Sequence, residues 1–142
     1  MPLVAHNALP TFERLRQDGI TVLTTDRAAH QQIRELHVGL LNMMPDAALE
    51  ATERQFFRLV GESNPIAQFY VHPFTLPKLP RGDKAQTHID RYYERFETIR
   101  EAGLDALIIT GANVSHPDLA DEPFWQPLIE VIDWAWDNVT ST

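Results

Sequence analysis

Three short apolar runs alternate with longer stretches of helical periodicity, and this alternation constrains the fold more than any other feature of the chain. The runs are 36–41 (Leu-His-Val-Gly-Leu-Leu), 66–74 (Ile-Ala-Gln-Phe-Tyr-Val-His-Pro-Phe) and 104–110 (Leu-Asp-Ala-Leu-Ile-Ile-Thr). Runs of this length, rich in β-branched and aromatic residues and bounded by Pro, Gly or Asn, suit strands buried on both faces. Strands of that kind are parallel, and each parallel pair needs a crossover long enough for a helix. The expected fold is therefore α/β, a parallel sheet with helices on both faces.

The intervening segments read as helices. Asp46 can cap one running to about Val60, with Leu49, Phe56, Phe57 and Val60 on one side and Glu50, Glu53, Arg54 and Arg58 largely on the other. Gly61 is placed to end it. Pro73 limits the second strand, and the proline-rich 73–82 stretch reads as a surface loop. A second helix is predicted from about Gln86, carrying Ile89, Tyr92, Tyr93, Phe96 and Ile99 at threes and fours, with Gly103 at its end. Glu122-Pro123 should start a third, through about Asn138, with Phe124, Leu128, Ile129, Ile132, Trp134 and Trp136 as its apolar surface. Trp134 and Trp136 are expected to pack in the core or a subunit interface. Residues 1–35, with Pro2, Pro10, a short helix around 12–17 and a β-rich patch at 20–24, read as an arm leading into an α/β domain over 36–142. A fourth βα unit is expected after Thr142.

Composition excludes several classes of function. The net charge is −8 with basic residues scattered, so no surface offers the counterion release that drives nucleic-acid binding. No apolar run approaches the ~20 residues of a membrane span, and residues 1–10 lack a signal peptide's basic start and apolar stretch. The expectation is a cytoplasmic protein with neither nucleic acid nor membrane as partner. There is no cysteine, which removes disulfides, thiolate metal sites and the most reactive nucleophile from these residues. The six histidines, His6, His30, His37, His72, His88 and His116, show no HExxH or paired-ligand spacing, so no metal site is expected.

Ligands of open α/β sheets bind outside the carboxyl ends of the strands. Two loops fall there. One is 110–116 (Thr-Gly-Ala-Asn-Val-Ser-His), where glycine can bring backbone amides close to a ligand, although a plain glycine turn explains it too. The other is Asn42-Met43-Met44-Pro45, where Asn42 is the candidate for substrate binding; the bland alternative is a strand-end cap with methionines filling core. Ser115-His116 sits in no Gly-x-Ser-x-Gly elbow, so a serine hydrolase is a poor reading.

Taken together, Leu40-Leu41-Asn42-Met43-Met44-Pro45, Thr52-Glu53-Arg54-Gln55-Phe56, the Asp-Ala-Leu-Ile-Ile-Thr-Gly-Ala run at 105–112, and Trp125 with Val139-Thr140-Ser141-Thr142 resemble the homoserine O-succinyltransferase family. Thr24-Thr25-Asp26-Arg27-Ala28 also looks like a family segment. The resemblance is ordered and spans nearly the whole chain. It implies a flavodoxin-like fold similar to class I glutamine amidotransferases, with Thr110-Gly111-Ala112 as the oxyanion-side loop. In that comparison the Val114 backbone amide helps hold the oxyanion.

Ser115 falls where family members choose their acyl donor: glycine there goes with succinyl-CoA and glutamate with acetyl-CoA. Serine matches neither, but it is small, uncharged and a hydrogen-bond donor, which leans towards a succinyl carboxylate. The segment Asp46-Ala47-Ala48-Leu49-Glu50-Ala51 replaces a shorter, lysine-bearing one found in many members, which puts that lysine's contact in doubt.

The implied reaction is a ping-pong transfer from succinyl-CoA to L-homoserine in methionine biosynthesis, through a cysteine, with a glutamate-oriented histidine activating the hydroxyl. All three catalytic residues are expected beyond Thr142, so the sheet is expected to be cut before its nucleophile strand and the chain inactive alone, with an aggregation-prone edge. Succinyl-CoA is the expected co-substrate, with no tightly bound cofactor, and the intact enzyme is expected to be a homodimer. The alternatives are an acetyl-CoA-dependent or serine-directed O-acyltransferase of the same family, or a non-catalytic amidotransferase-like binding module.

Overall fold

Five parallel strands form one sheet: β1 (Leu3–Ala5), β2 (Val22–Thr24), β3 (Glu35–Leu41), β4 (Gln68–Phe74) and β5 (Ala106–Ile109), in the order β2-β1-β4-β3-β5. The structure is a computed structural model that describes residues 3–29 and 34–142; Pro2 and His30 lie outside the described residues. Among the described residues six α-helices accompany the strands: α1 (Pro10–Gln17), α2 (Thr25–Ala29), α3 (Asp46–Glu62), α4 (Asp83–Tyr92), α5 (Phe96–Ala102) and α6 (Trp125–Asn138).

Handedness decides which face each helix covers. A right-handed crossover puts helices that carry the chain towards one edge of the sheet on one face, and those that carry it towards the other edge on the opposite face. The connections β1 to β2 and β3 to β4 both run towards the β2 edge, so α1 and α3 share a face. Their core joins Phe12, Leu15 and Phe57 to Leu3, Val38, Leu40, Phe69 and Val71. The connections β2 to β3 and β4 to β5 run the other way, and α5 and α6 fill the opposite face with Ile99, Leu128, Val131 and Trp134 against Leu41, Phe74 and Leu107. After α6 the chain returns to the free side of β5, where Ser141 pairs in parallel with Ala106 and its carbonyl accepts the Leu107 N–H at 2.9 Å.

The three predicted strands appear as β3, β4 and β5. The segment read as an arm contributes two more, because Leu3, Val4 and Leu23 are buried in short strands that pair with each other and with β4. β4 runs through Pro73 rather than stopping at it. The Pro73 carbonyl accepts from Glu94 N–H at 2.9 Å on the flank away from β3, and β1 pairs with β4 only at Phe69, so no ladder donor is lost there.

Several local readings change. The helix predicted from 86 breaks into α4 and α5, with Tyr93 and Arg95 extended at ψ 143° and 144°. Gly61 lies inside α3, whose cap is Ser63, on the face that packs against β1, where an added Cβ would make van der Waals contact with the Leu3 Cβ at 3.4 Å. Asp46 is the first residue of α3, after Pro45, and caps nothing with its side chain. The buried stripe of α3 is Leu49, Glu53, Phe57 and Gly61, which turns Glu53 inward instead of to solvent. On α6, Trp134 joins the core while Trp136 remains 87% exposed.

Candidate functional site

The two loops singled out in the sequence meet at the carboxyl ends of neighbouring strands, β3 and β5. Their helices, α3 and α6, depart to opposite faces, which opens a crevice of the kind ligands occupy in α/β sheets. Thr110 ties the loops together. Its N–H donates to Leu41 O at 3.1 Å, while its hydroxyl accepts from Met43 N–H at 2.8 Å and donates to Gly111 O at 2.9 Å.

Beyond Thr110 the chain emerges to the surface. Gly111, Val114 and Ser115 are exposed and Ala112 is half-buried. Among the described residues, no protein acceptor takes the backbone N–H groups of Gly111, Ala112, Asn113 or Val114. The next two amides are engaged: Ser115 N–H and His116 N–H both donate to Glu122 Oε1, at 2.6 and 2.8 Å. Burial pushes the Glu122 carboxyl up, but these two N–H bonds and the adjacent His116 ring hold it below its usual value. Glu122, read from sequence only as a helix start, thus anchors the loop's far end.

Asn42 is fully buried and its side chain is spent internally. Nδ2 donates to Leu49 O at 3.0 Å and to the Tyr93 hydroxyl at 3.1 Å, and Oδ1 accepts from Met44 N–H at 3.2 Å. Direct contact with a substrate, expected from its position, is not offered in this conformation. Asn42 instead fixes the Met43-Met44-Pro45 loop and pins Tyr93, which is where the α4–α5 helix breaks. Burial first, and then the Glu53 carboxylate, push the Tyr93 phenol far above its ordinary value, so it stays protonated.

Arg81 supports the same loop and was missed. Its guanidinium donates to Met44 O at 2.6 Å, to Asp46 Oδ1 at 3.2 Å and to Thr75 Oγ1 at 3.2 Å. Gly82 N–H adds a bond to Asp46 Oδ2 at 2.6 Å, and this bond, with Arg81, holds the Asp46 carboxyl below its usual range. The Met44–Asp46 turn is therefore held by an arginine from the 73–82 loop. Next to it, a cleft of about 590 Å³ opens between that loop and the α4–α5 break, lined by Thr75, Lys78, Arg81, Gln86, Tyr93 and Arg95. That is within the size of small-molecule sites.

Beneath the rim lies a buried polar group that sequence patterning placed on the wrong side of α3. Glu53 is 1% exposed; it accepts from the Thr11 hydroxyl and from His88 Nε2, the latter at 3.0 Å. The Glu53 hydrogen bond raises the His88 pKa against the opposing effect of burial.

The fold and this pair of loops define an α/β protein that presents free backbone amides at a strand-end crevice, an arrangement suited to a developing oxyanion. The sequence comparison is more specific. The chain belongs to the homoserine O-succinyltransferase family, whose sequence model matches residues 2–142. It is 87% identical over 142 residues to a homoserine O-succinyltransferase of Thiobacillus denitrificans, covering 100% of this chain and 41% of that protein. It is 75% identical to one of Thioalkalivibrio nitratireducens and 72% identical to one of Allochromatium vinosum, in each case over 100% of this chain and 40% of the relative. The chain thus spans about two fifths of the length of the curated relatives it matches. No helix among the described residues is long and apolar enough to cross a membrane.

Proposed function

We propose that the protein to which this chain belongs transfers succinyl from succinyl-CoA to the hydroxyl of L-homoserine, a step of methionine biosynthesis, and that these residues supply its oxyanion loop and the scaffold beneath it. The observation that carries this reading is the set of free amides at Gly111, Ala112 and Val114, tied to the neighbouring Met43 loop by the Thr110 hydroxyl. Attack on a thioester carbonyl places negative charge on its oxygen, and fixed N–H donors stabilise that charge without reorganising during the reaction.

The nucleophile is a separate matter, because the 142 residues contain no cysteine. In the reaction proposed, a cysteine thiolate takes the acyl group and releases CoA, and a histidine then accepts the homoserine hydroxyl proton as that oxygen attacks the acyl-enzyme. Ser115, exposed at the end of the free-amide stretch, faces the acyl chain in this reading, where its small side chain leaves room for the succinyl carboxylate. Asn42 acts by holding the adjoining loop.

The test is release of free CoA by the whole protein. It compares succinyl-CoA with acetyl-CoA as donor and homoserine with serine as acceptor. Homoserine-dependent release that is fastest with succinyl-CoA supports the reading. Faster acetyl transfer or serine acylation would replace it with one of the other acyltransferases, and no acceptor-dependent release from either donor would leave a binding module.

A further inference from the structure

A second group of polar side chains, most of them imidazoles, sits where β1 adjoins β4 in the sheet. His6 follows β1 directly, and its ring lies 4.9 Å from that of His72 on β4, which stacks at 5.1 Å on that of His37 on β3. Glu94, from the α4–α5 break, reaches His72 Nδ1 at 2.5 Å. A cavity of about 420 Å³ adjoins His37, His72 and Glu94.

We propose that His6 Nε2, His72 Nδ1 and a carboxylate oxygen of Glu94 form a binding site for one divalent metal ion of the zinc class.

The first support is the state of His6. Its Nδ1 lies 3.2 Å from Val4 O, and a carbonyl only accepts, so Nδ1 carries the proton and Nε2 has a lone pair. That Nε2 is buried and has no hydrogen-bond partner. A metal-bound imidazole is usually oriented by a bond from its other nitrogen to a carbonyl or carboxylate, as His6 is here.

The second support is proximity: His72 Nδ1 and a Glu94 carboxylate oxygen lie 2.5 Å apart, so an imidazole nitrogen and a carboxylate stand together beside the orphaned His6 Nε2.

Distance and donor type fit. The three ligand atoms lie within 4.8 Å of one another. Tetrahedral bonds of about 2.0–2.2 Å put ligand atoms roughly 3.3–3.6 Å apart, so the widest separation has to close and the 2.5 Å His72–Glu94 contact has to open. Two nitrogens and one oxygen select zinc, cobalt or nickel over calcium or magnesium, which prefer oxygen throughout. The adjoining cavity leaves the fourth position to water.

The test is independent of acyl transfer. The purified whole protein is stripped with chelator, titrated with zinc chloride by calorimetry, and titrated with cobalt(II) chloride by visible absorption. The expected result is one ion per chain, cobalt bands of a low-coordinate site that zinc displaces, and affinity at least tenfold weaker in His6→Gln and in Glu94→Gln. Metal-free melting curves establish that each variant is folded, and the half-buried Glu94→Gln carries the comparison if His6→Gln does not fold. A wild-type protein that binds no zinc, or folded variants that bind as tightly as the wild type, would overturn the proposal.

Discussion

Replacing Thr110 by valine tests the link between the two loops with little change of shape. The hydroxyl is the acceptor for Met43 N–H at 2.8 Å, in a pair whose residues are 7% and 5% exposed. Valine leaves that buried donor unmatched, which costs about 1–3 kcal/mol. The second bond, to Gly111 O, is lost at little cost because Gly111 is exposed and water replaces the donor. A methyl in place of the hydroxyl returns at most about 0.8 kcal/mol. The net loss is then about 1–2 kcal/mol. In urea, with a slope of about 1–3 kcal/mol per molar, this lowers the midpoint by roughly 0.3–2 M with the slope unchanged. Thr110→Ser keeps the acceptor and should stay within about 0.5 kcal/mol of wild type. The same pair separates a positioning role from a purely structural one, because a displaced amide loop lowers kcat for acyl transfer in the valine variant and not in the serine variant. A loss below about 0.5 kcal/mol in Thr110→Val, or equal losses in both variants, would refute the argument.

Three further outcomes follow from the same contacts. Glu53 raises the folded-state pKa of His88 above the ordinary imidazole value of about 6.5, so this contribution to stability is complete below that value and is lost as pH rises through the folded pKa. The stability gap between wild type and His88→Gln, followed by urea unfolding from about pH 5 to 9, should therefore narrow with rising pH, and a constant gap would speak against the pairing. Arg81→Ala removes charged donors to Met44 O, Asp46 and Thr75 from a side chain that is 6% exposed. It should cost about 2–3 kcal/mol by urea unfolding, and a cost under about 1 would mean the loop stands without it. Ser115→Glu should raise the ratio of acetyl-CoA to succinyl-CoA turnover, and an unchanged ratio would remove Ser115 from donor selection.

The strands visible in the sequence were those long enough to show an uninterrupted apolar run. β3 and β4 have seven residues each and were found almost to the residue; β1 and β2 have three each, too few to establish any period, and their segment read as an arm. The loops at the strand ends were visible for a topological reason, since a parallel sheet gathers its carboxyl ends on one rim whatever residues stand there. What holds those loops was hidden. Thr110 meets Met43 across 67 positions and Arg81 meets Met44 across 37. Glu53 was assigned to solvent because periodicity counts a charge as polar surface, yet its place on the Leu49–Phe57 stripe is made tolerable by His88, 35 positions away on another helix. Local pattern reports which faces avoid water, and it carries no record of which polar groups satisfy one another after folding. A search for metal-ligand spacing fails for the same reason: His6, His72 and Glu94 come from three separate segments, and only the adjacency of β1 and β4 in the sheet brings them together.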